Sequence, residues 1–226
     1  MTTKNKKTLF ASLAGILILL IVGGIGCSIM STTKPSKSDG VEVDANKIMN
    51  EYGDTILHYA VHTNNSHLGF GGLEHVKLLV SKGADVHAKN NHGWTPLRTV
   101  MATVKPDIEI VPFLVSSGAD VNTKCEQGIT PLHIAVLMGN MELIEFFVSK
   151  GADVNATNAG GYTPLHWTTA PYMSDGTVQY ADVEIAKSLV SAGADVHAKN
   201  NDGKTPLDTA KENGHTVAVE YLSSIR

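Results

Sequence analysis

Short runs of apolar residues at helical spacing alternate with polar turns along most of the chain. The copy between residues 127 and 158 shows the pattern most clearly, with two apolar stripes made of Leu132, Ala135, Val136, Leu143, Ile144, Phe147 and Val148. Thr130 and Pro131 precede the first stripe, and a hydroxyl cap followed by proline is typical of a helix start. Gly139 and Gly151 follow the two stripes, where glycine favours the left-handed residue that ends a helix. This pattern predicts two short helices followed by an extended loop.

The pattern recurs at a nearly constant interval. A TPLH-like block starts at threonines that are 40, 35, 33 and 42 residues apart, namely Thr55, Thr95, Thr130, Thr163 and Thr205. A second block, GADV, keeps the same register and starts at Gly83, Gly118, Gly151 and Gly193. One such unit cannot bury its own apolar face, so neighbouring units must stack. The chain is therefore predicted to form an all-α solenoid of about five helix-turn-helix units over residues 51–226.

These blocks resemble those of the ankyrin-repeat family, most closely in the copy QGITPLHIAVLMGNMELIEFFVSKGADVNATN. The resemblance covers residues 51–226 and implies stacked helix pairs joined by hairpin-like loops. It also implies recognition of protein partners through the loop tips and the concave face of the first helices. The departures are local. Ile56 replaces the proline of the first TPLH-like block, Arg98 replaces the histidine of the second, and Thr169 stands where a small alanine is expected in the fourth copy.

Two units carry insertions between their helices. The first unit contains HTNNSHLGFGGLEH at residues 62–75, and the fourth contains PYMSDGTVQYAD at residues 171–182. Insertions in repeat proteins map to loops on one face and often carry function, but they also arise as tolerated loop growth. The sequence leaves both interpretations open.

The first 26 residues have the pattern of an export signal. Lys4, Lys6 and Lys7 precede an uncharged stretch from residue 8 to residue 30, as in the charged and apolar regions of a signal peptide. The stretch is also long enough to span a bilayer, and Gly26 with Cys27 resembles the lipidation site of bacterial lipoproteins. Three alternatives stay open: a lipoprotein with its lipid on Cys27, an uncleaved anchor, and a secreted protein.

All three alternatives place the rest of the chain outside the cytoplasm. Positive charge concentrated before the apolar stretch favours moving the downstream residues across the membrane. Residues 27–50 are largely polar and are expected to act as a flexible tether. The repeat domain is therefore expected to be membrane-anchored on the periplasmic or extracellular side.

Composition and charge add little chemistry. The net charge of −4 provides no basic surface for nucleic acid, and two cysteines, Cys27 and Cys125, are too few for a disulfide framework. No nucleophile elbow, phosphate-binding loop or catalytic cysteine–histidine motif stands out, so neither catalytic residues nor a cofactor is predicted. Cys125 has either an inert thiol or a redox or intermolecular role.

Histidines of the first unit supply the main alternative, a metal-binding or enzymatic protein that uses the inserted loops. His58 and His62 are four residues apart, which places both on one face of a helix, and His67 and His75 follow in the insertion. Tyr59 stands where a zinc protease would have its glutamate. The resemblance gives His58 a structural role, so no metal site is predicted.

Trp94, Ile129 and Tyr162 each come directly before the threonine of a central unit. Packed helices lie about 8–10 Å apart, so these side chains are predicted to form a continuous exposed apolar strip of the kind that marks protein contacts. Neighbouring candidates for partner contacts are Lys89, His92, Leu137 and Met138. The sequence therefore predicts a monomeric, non-catalytic module that binds an unidentified protein as an inhibitor, a protective partner or a scaffold.

Overall fold

The computed structural model describes residues 44–62, 71–102, 108–170, 172–174, 177–179 and 182–225. The predicted signal or anchor, Cys27 and most of the predicted tether lie outside these residues. Within the described part of the chain, no helix is long and apolar enough to cross a membrane.

Short helices follow one another in pairs along the described chain, and we call these pairs units 1 to 5. The first helices are α1 (Ile56–His62), α3 (Pro96–Met101), α5 (Pro131–Leu137), α7 (Pro164–Trp167) and α9 (Pro206–Asn213). The second helices are α2 (Leu73–Ser81), α4 (Ile110–Ser116), α6 (Met141–Ser149), α8 (Val183–Ser191) and α10 (Thr216–Ser224). The predicted all-α solenoid is confirmed.

The core runs through the stacked first helices. The leucine two positions after the capping threonine is fully buried in units 1 to 4, at Leu57, Leu97, Leu132 and Leu165. Helix α1 packs on α3, α3 on α5, α5 on α7, and α7 on α9. Burying such a side chain contributes about 1.5–3 kcal/mol relative to leaving it exposed. The stability of each unit therefore depends on the units that flank it.

The first helix of unit 4 is short, and two threonines explain why. The hydroxyls of Thr168 and Thr169 donate to the carbonyls of Leu165 and His166 over 2.8 and 2.7 Å, and such local bonds compete with helix continuation. Thr169 replaces the expected alanine but is fully buried, with its Oγ1 only 2.6 Å from Oγ1 of Thr209 in unit 5. A hydroxyl in the neighbouring unit thus accommodates this departure from the family pattern.

The insertion in unit 4 contains a short β-hairpin, which the solenoid pattern does not predict. Strand β1 (Tyr172–Ser174) pairs antiparallel with β2 (Thr177–Gln179), with Met173 opposite Val178. The sequence Asp-Gly stands between the strands, and this pair is favoured in two-residue hairpin turns. That local signal is sufficient to predict the hairpin. The insertion of unit 1 falls mostly in residues 63–70, outside the described residues.

Packing begins ahead of residue 51. Ala45 is 4% exposed, and Asn46 donates from Nδ2 to the Gly83 carbonyl over 3.1 Å while its Oδ1 accepts from the Asp85 N–H over 2.8 Å. Asn122 makes the same pair of bonds further along the solenoid. Residues 44–50 therefore pack with the repeat domain, although the sequence division places them in the tether.

Candidate protein-binding surface

An asparagine organises the extended loop ahead of the first helix in units 1, 2, 4 and 5. Its Oδ1 accepts bonds of 2.9–3.0 Å from the backbone N–H groups two and four positions later; these residues are Asn50, Asn90, Asn158 and Asn200. In unit 2 the two donors are His92 and Trp94. Asparagine favours such turns because its side chain bonds the backbone two residues on. This turn fixes the backbone of His92 and Trp94 ahead of α3.

Buried histidines connect the units to one another. His58, His133 and His166 are at most 1% exposed. In each ring, Nδ1 accepts the backbone N–H of the capping threonine over 3.2–3.3 Å, so the ring proton lies on Nε2. Nε2 donates over 2.8–3.1 Å to a carbonyl in the next unit, that of Trp94, Tyr162 or Lys204.

Burial lowers the pKa of all three histidines, because the protein interior disfavours the charged ring. For His133 burial lowers the pKa to about 4. The rings are therefore neutral at neutral pH, and both nitrogens of each ring are engaged in hydrogen bonds within the fold.

The same bonds bear on the alternative metal site of unit 1. Both ring nitrogens of His58 are engaged in hydrogen bonds, and Nδ1 of His75 donates to the Gly71 carbonyl over 2.8 Å. His67 lies outside the described residues. Among the described residues, the side chains do not place three or more potential metal ligands together.

The predicted continuous apolar strip is wrong at its centre. Ile129 is 3% exposed and belongs to the hydrophobic core, because burying a branched aliphatic side chain is favourable. Trp94 and Tyr162 are only half-buried. The Tyr162 ring packs edge-on against His166, with 5.6 Å between ring centroids. Trp94 and Tyr162 are therefore separated by unit 3, whose apolar side chain at this position is buried instead of exposed.

Trp94 covers Arg98, the residue that replaces the repeat histidine in unit 2. The guanidinium carbon lies 4.3 Å from the centroid of the Trp94 ring, and Arg98 is 3% exposed. The Arg98 N–H bonds Oγ1 of Thr95 over 3.3 Å, but an arginine side chain has no acceptor and cannot complete the reciprocal cap. Trp94 therefore shields a buried charge as well as presenting an aromatic edge.

An aromatic ledge, made of Tyr52, His92 and Trp94, crosses the loop tips of units 1 and 2. Tyr52 stacks on His92 with 6.1 Å between centroids and 25° between ring planes, and His92 meets Trp94 at 6.0 Å. Tyr52 is 40% exposed, and His92 is exposed too. Tyr52 follows Asn50 by two positions, as His92 follows Asn90. Tyr52 is not among the predicted contact residues, although it stands at the same position of its loop as His92.

The other predicted contact residues lie at different depths. Lys89 is exposed and Leu137 is half-buried, whereas Met138 is 37% exposed at the end of α5. Further large apolar side chains at the described surface are Ile48, Leu78, Ile108 and Val217. The ledge differs from these single residues because its rings touch one another across two units.

Comparisons with known proteins agree with this architecture. A family model described as ankyrin repeats in three copies matches residues 10–125 and 99–170, and a model of the single ankyrin repeat matches residues 160–201. Two curated relatives are protein phosphatase 1 regulatory subunit 27 of Homo sapiens and that of Mus musculus. Each is 53% identical over 38 residues, which is 17% of this chain and 25% of the relative.

The matched stretch thus spans only a quarter of each relative. It has about the length of one repeat unit, whereas the family models cover most of the chain. The chain therefore belongs to the ankyrin-repeat family and is a protein–protein interaction module.

Proposed function

We propose that this ankyrin-repeat protein is a non-catalytic partner that recognises another protein mainly through the aromatic ledge, and that its first 26 residues or a lipid on Cys27 hold it at the cell envelope. The observation that carries the binding proposal is the contact between exposed rings of adjacent units. Tyr52 and His92 touch across the boundary between units 1 and 2, so a partner would meet them as one surface.

The geometry of the ledge suits rapid and specific recognition. Aromatic side chains supply a large contact area at a low cost in conformational entropy and are frequent anchors of interfaces. The loop turns and the His58 bond to the Trp94 carbonyl hold the backbone below them. A surface that is already ordered loses little entropy on binding, which favours affinity.

The curated relatives support a regulatory rather than a catalytic role. They are named as regulatory subunits, and a regulatory subunit acts by binding. Because the match spans 38 residues, it supports the mode of action and leaves the partner of this chain to be identified. Inhibition, protection and scaffolding of that partner are all compatible with a rigid recognition surface.

A photoreactive amino acid at position 52 of the full chain, expressed in its native cell, tests the ledge directly. The expected result is a crosslinked protein that is absent when the same probe replaces Val217, an exposed apolar residue of α10. The purified partner should then bind the variant carrying Tyr52→Ala and His92→Ala roughly ten- to thirtyfold more weakly than the unaltered chain. Thermal denaturation checks that this variant remains folded, since both side chains are exposed.

The matched control is the variant carrying Leu78→Ala and Val217→Ala, which removes exposed apolar side chains from the second helices of units 1 and 5. It should bind the partner with unchanged affinity. Equal crosslinking from positions 52 and 217, or equal loss of affinity in both double variants, would contradict recognition by the ledge.

Cell fractionation with palmitate labelling tests the envelope proposal separately. We expect the chain in the membrane fraction, with a label that the Cys27→Ser variant loses. A wholly cytoplasmic protein would contradict export, whereas a membrane-bound but unlabelled protein would contradict only the lipid. Neither outcome bears on the aromatic ledge.

A further inference from the structure

Unit 3 departs from the other units at the residue that organises the extended loop. Cys125 occupies this position, where the other units have Asn50, Asn90, Asn158 and Asn200. The backbone bonds that those asparagines accept have no counterpart in the described loop of unit 3. Instead, the Cys125 thiol donates to Oε1 of Gln127 over 3.2 Å. Sulfur is a weak acceptor. The loop of unit 3 therefore lacks the side-chain oxygen that accepts two backbone N–H groups in each of the other loops.

A buried cation of unit 2 interacts electrostatically with this cysteine. Arg98 is 3% exposed, and its Nε and Nη1 have no hydrogen-bond partner among the described residues. Burial lowers the pKa of Arg98, and the electrostatic interaction with the Cys125 sulfur opposes this effect. An unpaired buried guanidinium is costly. Within the part of the chain that the structure describes, the site therefore has a positive charge and free donors but no anionic acceptor.

The backbone beside Cys125 is also less tightly packed than at the other loop tips. A Cβ built on Gly93 would lie 3.6 Å from the Glu126 nitrogen. The equivalent distances are 3.1, 3.0 and 2.7 Å for Gly53, Gly128 and Gly161. At those three positions the facing N–H donates to a carbonyl of the preceding loop, but the Glu126 N–H makes no such bond within the described loops. Cys125 is 6% exposed, and this looser junction favours the local opening that a small reagent needs.

We propose that Cys125 is a site of reversible oxidation by hydrogen peroxide, and that Arg98 is the charge partner of the oxidised side chain. The Cys125 thiol gives its proton to water, and the thiolate sulfur attacks one peroxide oxygen; the S–O bond forms as the O–O bond breaks, and the departing hydroxide combines with that proton to give water. Sulfur loses two electrons and the peroxide is reduced to water. The product is a cysteine sulfenic acid, which a thiol reductant returns to cysteine.

The shape of the product explains why this site accepts it. A sulfenic oxygen is attached through sulfur to Cβ, just as Oδ1 of asparagine is attached through Cγ to Cβ. The oxidised Cys125 would thus supply the acceptor that Asn90 and Asn158 supply in the flanking loops. A sulfenate oxygen would also give the Arg98 guanidinium an anionic partner. Oxidation is therefore expected to tighten the junction between units 2 and 3.

Peptide mapping of the full chain tests the chemistry. The chain, in a Cys27→Ser background, is treated with hydrogen peroxide; catalase stops the reaction before denaturation, and remaining thiols are alkylated. We expect Cys125 to gain one oxygen that dithiothreitol removes. With Arg98→His, which introduces the histidine of units 1, 3 and 4, oxidation should be slower by roughly tenfold. Absence of a reducible oxygen at Cys125, or an unchanged rate with Arg98→His, would overturn the proposal.

Thermal denaturation tests whether oxidation of Cys125 tightens the junction between units 2 and 3. This measurement does not require the Arg98→His variant to fold. Peroxide should raise the melting temperature of the chain, and Cys125→Asn should show a raised melting temperature without peroxide. The Cys125→Asn variant keeps every methionine, so it also reports any effect of methionine oxidation. A melting temperature that falls on oxidation of Cys125, or a rise that Cys125→Asn shares on treatment, would overturn the proposal.

Discussion

The junction between units 3 and 4 and the junction between units 2 and 3 use the same repeat positions but are held differently. Three positions bond across the first junction: a histidine of the first helix, a loop asparagine and a backbone amide at the loop tip. These residues are His133, Asn122 and Ala159. Across the second junction the corresponding residues are Arg98, His87 and Glu126, and in the described residues they make none of the equivalent bonds.

This difference shows how a few positions decide how firmly two units stack. Both junctions bury apolar side chains of the first helices, since α3 packs on α5 and α5 on α7. A neutral hydrogen bond adds about 0.5–1.5 kcal/mol net, and several are missing at one junction. Where the chain departs from the repeat pattern, the solenoid is therefore expected to open first.

The largest expected effect is that of His133→Ala, which breaks the stronger junction. The substitution removes a fully buried ring, the second half of a capping box and the bond to the Tyr162 carbonyl. We expect the free energy of unfolding, measured in urea, to fall by about 3–4 kcal/mol. The control is His87→Ala at an exposed position, which should change it by less than about 0.5 kcal/mol. Equal effects would contradict the comparison.

Acid should weaken the same junction by a similar amount. The pKa of His133 is about 4 in the folded chain against an ordinary value of 6.5, so the unfolded chain binds more protons between these values. The contribution of His133 to the free energy of unfolding is therefore fully present above pH 6.5. It declines as the pH falls towards 4, by roughly 3 kcal/mol in total. The lowered pKa values of His58 and His166 act in the same direction.

Urea titrations between pH 7 and pH 4 measure this decline, and it should be smaller by that amount in His133→Ala. Native-state hydrogen exchange locates it, because amides at the junction of units 3 and 4 should lose more protection than those at the junction of units 2 and 3. Arg98 does not titrate in this range. An identical pH dependence in the two chains would contradict a role for His133.

A reciprocal exchange of loop residues should have a smaller effect. His87→Asn introduces the bridging asparagine at the weaker junction, and Asn122→His removes it from the stronger one. We expect the first to raise and the second to lower the free energy of unfolding, each by about 1 kcal/mol. Chemical denaturation of the two variants measures both. Destabilisation by both changes would show that the asparagine position does not by itself distinguish the junctions.

The smallest expected effect is that of Lys124→Ala. Lys124 Nζ donates to the Thr157 carbonyl over 3.2 Å across the stronger junction, but the bond is exposed. Water replaces such a bond readily, so the free energy of unfolding should change by less than about 0.5 kcal/mol. A fall of more than about 1 kcal/mol in the free energy of unfolding, measured by the same urea titration, would show that exposed bonds stabilise this junction as well as buried ones.

The aromatic ledge was only partly predictable from the sequence. Trp94 and His92 were predicted as contact residues and do lie in the aromatic ledge, but Tyr52 was missed and Ile129 is buried. The loop position of each residue follows from its own unit. Its exposure depends on the side chains of the next unit, which lie about 35–40 residues away in the chain.

The helices and their stacking follow from the sequence alone, because threonine, proline, glycine and the apolar spacing act within a single unit. Repetition of that unit then leaves one way to bury the apolar faces. Which junction has fewer hydrogen bonds, where rings meet at the surface, and the interaction of Arg98 in unit 2 with Cys125 in unit 3 follow only from the tertiary structure. These features depend on pairs of side chains from different units, and the distance between such a pair is set by packing rather than by local pattern.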